Sequence, residues 1–220
     1  MWQRISARTT GIIAITIGAI ALTGGQASAR PRPTAAPATV IAPDTAVFAG
    51  GCFWGVQAVY ARIKGVISST SGYAGGKVAH PSYEDVSTGR TGHAESVQVI
   101  YDPSKVTYDQ LLEVFFSVAH DPTELNRQGP DVGTQYRSAV FFRNAAQQAA
   151  TNAFIAKLAQ AKTYTHPIVT QVAALAVFYP AEGYHQNYFD LHPDQPYIVY
   201  NDKPKVEHLK QRFPGLYTGK

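Results

Sequence analysis

From Thr45 to Phe142 the sequence alternates between two periodicities, and their order constrains the fold more than any other feature. Thr45 to Ala49 is a short apolar run of strand length, and Trp54 to Ile63 carries Val56, Val59, Tyr60 and Ile63 at helical spacing. Val66 to Tyr73 reads as a second strand, closed by Ala74-Gly75-Gly76. Ala94 to Tyr101 alternates as a strand, with Glu95, Val97, Val99 and Tyr101 on one face and Asp102-Pro103 as its stop. Thr107 and Gln110 form a capping-box pattern ahead of Leu111, Leu112, Val114, Phe115 and Val118, a helix expected to end near Asp121-Pro122. Ser138 to Phe142 is another strand, and Asn144 with Gln147 caps a long helix reaching about Lys162. Gln171 to Phe178 is read as one further strand, Tyr179 to Asp190 as a short helix, and Val206 to Arg212 as a turn of helix. Strand–helix–strand twice over predicts an α+β fold, a ferredoxin-like two-layer sandwich. The loops Lys77 to Gly92 and Thr123 to Gln135 are longer than such a fold needs, and functional groups concentrate in loops of that kind.

The amino-terminal residues have a different character. Arg4 and Arg8 precede an unbroken apolar run from Gly11 to Thr23, and Ala27-Ser28-Ala29 is a small-x-small cleavage site. Residues 1–29 are therefore expected to be a signal peptide, too short in its apolar part to be a comfortable membrane span. Arg30 to Pro43 is proline-rich without periodicity and is expected to be a linker. The domain proper is expected to run over 44–220, exported to the periplasm or secreted. The formal charge of +4 falls to +2 without Arg4 and Arg8, too weak a bias to imply nucleic acid or an anionic membrane as partner.

Chemistry centres on the single cysteine, Cys52, in Val47-Phe48-Ala49-Gly50-Gly51-Cys52-Phe53-Trp54-Gly55. A free cysteine is often a small buried hydrophobe. Here, glycines and aromatics beside it, and a helix amino terminus expected to lower its pKa, favour a reactive thiol. Phe53 and Trp54 can wall an apolar pocket or simply pack in the core. Glu95 opens an inward-facing stripe, and burial there would raise its pKa and make it a proton donor. A solvated strand-edge carboxylate is the plainer reading of the same residue. His93-Ala94-Glu95 matches half of a zinc deaminase signature, but the P-C-x-x-C half cannot exist with one cysteine, so no metal is expected. His185 and His192 lack metal-ligand spacing. The polar stretch Asp121 to Ser138 reads most plainly as a well-capped connecting loop, but it could deliver Asp131 and Tyr136 towards Cys52.

Gly51-Cys52-Phe53-Trp54-Gly55, Gly89-Arg90-Thr91-Gly92-His93-Ala94-Glu95, the Asp121–Ser138 loop and Tyr184-His185-Gln186-Asn187-Tyr188 together resemble the A-type peptide-methionine sulfoxide reductases over about Val47 to Tyr200. That resemblance implies reduction of the S epimer of methionine sulfoxide, with Cys52 as nucleophile and Glu95 as proton donor. It implies Tyr83 and Tyr136 on the sulfoxide oxygen, Asp131 ordering the polar side, and Phe53 and Trp54 around the methyl group. It implies oxidised proteins or peptides as substrates, and a thiol reductant, thioredoxin-like or small, in place of any cofactor. The chain departs from many such proteins in having no cysteine in Val206–Lys220, and Ser87 where many carry one. A one-cysteine cycle follows, in which an external thiol reduces a Cys52 sulfenic acid. The competing enzyme class is a cysteine hydrolase with His185 activating Cys52. A non-catalytic thiol-bearing peptide-binding module is the third reading.

Overall fold

A computed structural model describes residues 42–219 and the isolated Ala14. The rest of the expected signal segment, and the linker up to Ile41, lie outside the described residues. Strands β1 (Asp44–Gly50), β2 (Val66–Ala74), β3 (Ala94–Tyr101) and β6 (Ser138–Phe142) form an antiparallel core in the order β6-β1-β3-β2. Helix α1 (Phe53–Ala61) joins β1 to β2, and α3 (Tyr108–Val114), continued by a π turn over Phe115–Ala119, lies between β3 and β6. This is the doubled unit the sequence predicts, an α+β sandwich of ferredoxin-like order. The Thr107 capping box is formed, and the Asn144 side chain accepts from the Gln147 amide at the start of α4 (Ala145–Gln160). Within the long polar loops lie two elements without a clear periodic signal, α2 (Tyr83–Ser87) and the β4–β5 hairpin (Arg127–Gln128, Asp131–Val132).

The run read as a single strand from Gln171 to Phe178 is two strands. β7 (Gln171–Ala174) pairs parallel to β6 on one edge, and β8 (Phe178–Pro180) pairs antiparallel to β2 on the other. Only Leu175, Ala176 and Val177 join opposite edges of a six-stranded sheet, and so short a link forces the sheet to curl. Strand alternation supports the curl. Ala49, Ala74, Ala94 and Ala139 lie on the face with Val47 and Phe141, where small side chains leave room for concave bending. The opposite face carries Phe48, Tyr73, Val97, Val99 and Tyr101 against Val56, Val59, Tyr60, Leu111 and Phe115.

Carboxyl-terminal to β8 come α5 (Tyr188–Leu191), a π turn (Ile198–Asp202) and α6 (Lys203–Arg212). Residues after α6 are fastened to the body: Ile63 bridges Tyr217, the Lys64 amide donates to Leu216 O, and the Thr218 amide donates to Arg62 O. His120, buried at the end of the π turn, donates from Nδ1 to Phe115 O (3.0 Å) and accepts at Nε2 from Ser138 Oγ (2.7 Å). No helix among the described residues is long and apolar enough to cross a membrane.

Candidate active site

Cys52 is the residue from which α1 starts, at the exit of β1. Gly51 has φ +86°, and a Cβ there would lie 2.6 Å from Gln128 Cβ, so only glycine lets the β4–β5 hairpin close over the strand end. Gln128 is itself held by the Asp121 backbone, which donates to Oε1 at 2.8 Å and accepts from Nε2 at 2.9 Å. Glu95, at the start of β3, points to the helix face of the sheet and accepts from the Phe53 amide at 3.0 Å. The carboxyl therefore takes up an amide at the helix start that a capping side chain would otherwise satisfy.

A pocket of about 270 Å³ opens there, lined by Cys52, Phe53, Trp54, Tyr83, Glu95, Asp131, Tyr136, Gln195 and Tyr197. All seven residues singled out from the sequence thus share one wall or another of a single cavity. Gln195 and Tyr197 were missed; they stand in a proline-flanked stretch without periodicity or motif, and nothing local marks them. The Tyr197 hydroxyl donates to Asp131 Oδ2, which fixes that carboxylate at the rim. Tyr83 enters from α2, whose first amide donates to Glu182 Oε1 at 2.8 Å, while Tyr73 Oη donates to Glu182 Oε2 at 2.8 Å. The Trp54 ring stacks on Tyr188 at 3.7 Å and its indole N–H donates to His185 Nδ1 at 3.2 Å.

Electrostatics at the site run against one expectation. A helix amino terminus was expected to lower the Cys52 pKa, yet the thiol is held well above its ordinary value. Cys52 is 8% exposed. Burial is the main cause, the carboxyls of Glu95 and Asp202 add to it, and the Trp54 amide and Lys205 only partly oppose them. The dipole loses because a nearby acid and desolvation both disfavour the anion. Glu95 is pushed up to about 8, first by burial and then by Asp131 and Asp202, with the Phe53 amide pulling the other way. It is a neutral acid at pH 7, able to donate. Burial also raises Tyr83, Tyr136 and Asp131, the last restrained by its bond from Tyr197.

His185 and His93 have other work. His185 is buried, does not line the pocket, and has its Nδ1 occupied by Trp54, so the cavity offers Cys52 no imidazole base. His93 accepts from the Gly76 amide at 3.1 Å and donates from Nε2 to Val78 O at 2.8 Å, which ties the start of β3 to the turn after β2. Ser87, standing where a cysteine is common in the resembling family, donates to Tyr83 O within α2.

The sequence profile of the family described as peptide methionine sulfoxide reductase matches residues 44–215. The chain is 59% identical over 177 residues to peptide methionine sulfoxide reductase MsrA 2 of Mesorhizobium japonicum, covering 80% of this chain and 91% of that protein. It is 45% identical to peptide methionine sulfoxide reductase MsrA 2 of Synechocystis, covering 77% of this chain and 79% of that one. Among solved structures it resembles methionine sulfoxide reductase A of Corynebacterium diphtheriae, with TM-score 0.61 and 37% identity, over 69% of this chain and 76% of that one. It also resembles Mxr1 of Saccharomyces cerevisiae in reduced form, with TM-score 0.64 and 35% identity, over 70% and 87% of the two chains. A buried thiol facing a neutral acid, on this fold and with these relatives, defines an oxidoreductase. The chain belongs to the peptide methionine sulfoxide reductase family, which reduces methionine sulfoxide.

Proposed function

We propose that the pocket reduces the S epimer of methionine sulfoxide, free or in a protein chain, with Cys52 as the attacking sulfur. One observation carries the reading: the thiol shares its small cavity with Glu95, an acid that burial keeps protonated at neutral pH. As the sulfoxide sulfur is attacked, negative charge grows on its oxygen. Glu95 gives that oxygen a proton, and the hydroxyls of Tyr83 and Tyr136 donate hydrogen bonds to it. The carboxylate so formed takes the Cys52 thiol proton, which answers how a thiol with a raised pKa can attack. The bond formed between Cys52 and the substrate sulfur then breaks together with the substrate S–O bond as the protonated oxygen passes to Cys52, so methionine leaves as the thioether and Cys52 becomes a sulfenic acid. Phe53 and Trp54 hold the methyl group, and Asp131, tied to Tyr197, orders the polar side. Methyl and oxygen on different walls admit one epimer.

Recycling follows from the lone cysteine. An external thiol attacks the sulfenic acid, forming a mixed disulfide and water, and a second thiol releases Cys52. Either a small thiol or a thioredoxin-like protein can supply both electrons. The residues after α6 are bonded to the Arg62–Lys64 turn, and none of them lines the pocket, which is consistent with an outside reductant. Export through cleavage near Ala29 places the work outside the cytoplasm, and amino-terminal sequencing of the mature protein from cell fractions tests it.

The central test is reduction of each sulfoxide epimer with dithiothreitol by wild type and Cys52→Ser. Without thiol, one equivalent of methionine per enzyme and dimedone capture at Cys52 are expected. Two equivalents would sink the one-cysteine cycle, and equal activity of Cys52→Ser would sink the nucleophile.

A further inference from the structure

The two long loops that bring Glu95 and Tyr136 to the pocket are fastened to each other. Gln135 Nε2 donates to Ser87 O at 3.2 Å, Thr134 Oγ1 to Gly89 O at 3.1 Å, and Arg137 Nη2 to Gly92 O at 3.0 Å. Arg137 does more than cross-link. Its Nη1 donates to Thr134 O at 2.8 Å and its Nε to Gln171 Oε1 of β7 at 3.0 Å. One guanidinium therefore holds three acceptors on three segments. Arg137 is 8% exposed, and among the described residues no carboxylate stands in ion-pair range of it.

Burying a cation without a counter-charge is costly, and a structure serving only to tie loops has cheaper means in neutral side chains. What a planar guanidinium adds is direction: donors in a rigid fork fix the distances and angles between the groups they hold. The fork is also wedged. A Cβ on Gly75 would lie 2.9 Å from Nη2 and 2.5 Å from the Phe141 ring, so the turn after β2 closes directly on it. Gly92 stands just upstream of Glu95 on the same backbone, and Arg137 directly follows Tyr136. Cys52, at the exit of β1, makes none of these bonds.

We propose that Arg137 is a positioning residue for the sulfoxide-reducing step: by holding the Gly92 and Thr134 carbonyls in one fork, it fixes Tyr136 and Glu95 relative to each other on the oxygen side of the pocket. The inference rests on the reading of those two residues as oxygen-side groups. A role in stability alone would lower the melting temperature and leave the kinetics of folded enzyme untouched. A positioning role changes the turnover step, where displacement of about an ångström can cost about 100-fold.

The experiment is steady-state reduction of free methionine S-sulfoxide with dithiothreitol by Arg137→Met, Arg137→Lys, Tyr136→Phe and the Tyr136→Phe/Arg137→Met double variant. Iodoacetamide labelling of Cys52 without substrate is followed in parallel. Expected for Arg137→Met is a fall in kcat of about 10- to 100-fold with KM within about threefold, and labelling within about twofold of wild type. Arg137→Lys should recover part of the loss. Because Arg137 acts by setting Tyr136 against Glu95, removing the Tyr136 hydroxyl should blunt its effect, and the double variant should lose less than the product of the two losses. Folded Arg137→Met with wild-type kcat, multiplicative losses in the double variant, or slowed labelling of Cys52 in step with kcat would each overturn the proposal. A Tyr136→Phe enzyme of full activity would instead overturn the oxygen-side reading itself. If Arg137→Met does not fold, folded Arg137→Lys is read alone, since it keeps the charge but cannot hold both carbonyls in one planar fork. A lowered kcat with unchanged KM and labelling then supports the positioning role, and unchanged kcat refutes it.

Discussion

Glu95→Gln separates the chemical role of this acid from its cost to the fold. Gln keeps an oxygen for the Phe53 amide, which now donates to Glu95 Oε2 at 3.0 Å, but has no proton to give. In the folded protein Glu95 is pushed from 4.5 up to about 8. The folded state therefore binds the extra proton, and its stabilising share is fully present below pH 4.5 and lost as pH rises through 8. Across that interval a shift of this size is worth about 5 kcal/mol by linkage, about 1.4 kcal/mol for each pH unit. Glutamine does not titrate, so Glu95→Gln should gain on wild type steadily from pH 4.5 to 8 and hold a constant lead above. Groups common to both proteins cancel in the difference. Urea unfolding of both at half-unit pH steps measures it. Activity should run the opposite way, the variant losing about 100- to 10,000-fold near neutrality, as for loss of a general acid. Wild-type turnover should decline above about pH 8. A stability difference flat to within about 1 kcal/mol from pH 5 to 8 would show that Glu95 is already charged, and the acid role would fall with it.

Three further outcomes are expected. Buried His120 is lowered from 6.5 to about 4, so the stability it allows is present above pH 6.5 and lost as pH falls to 4, about 3 kcal/mol in all; unfolding free energies from urea titrations at pH 7 and 4.5 should show wild type losing most of that amount relative to His120→Gln. Tyr83→Phe and Tyr136→Phe should each lower kcat by about 10- to 1,000-fold, as for loss of a donor to a developing oxyanion, and equal rates to wild type would remove that residue from the oxygen side. Gly51→Ala puts a side chain at φ +86° and into Gln128, so it should cost at least about 1–2 kcal/mol in thermal or urea unfolding and slow turnover as the hairpin lifts; unchanged stability would show that the hairpin yields freely.

Much of this architecture could be read before any coordinates, for reasons that differ by element. β3 was legible because it alternates over its whole length, and Glu95 stood out as an acid on its buried face. α3 was legible because Thr107 and Gln110 announce its start. The division of 171–180 into β7 and β8 was not, because a continuous apolar run says nothing of which sheet edge each half will join. α2 is short, and its capping box at Ser82 and Asp85 lies inside a polar loop without an apolar face. At the site, the Cys52 expectation failed on a quantity that sequence cannot supply. The helix terminus was visible, but the closeness of Glu95 and Asp202 to the sulfur is set by strands and helices far apart in the chain. Tyr197 likewise reaches Asp131 only through the fold.

The fastening of residues after α6 has a kinetic consequence. A disulfide-forming tail would turn recycling into an internal motion with its own ceiling, independent of what surrounds the protein. Here Ile63, Lys64 and Arg62 hold that segment in place, and Cys52 is the one thiol in the chain. In the proposed one-cysteine cycle, each turnover then closes with a collision, and at saturating sulfoxide the rate would track the supply of thiol outside. Such a protein answers to the reducing power of its surroundings, running fast where thiol is abundant and stalling, oxidised at a single sulfur, where it is not.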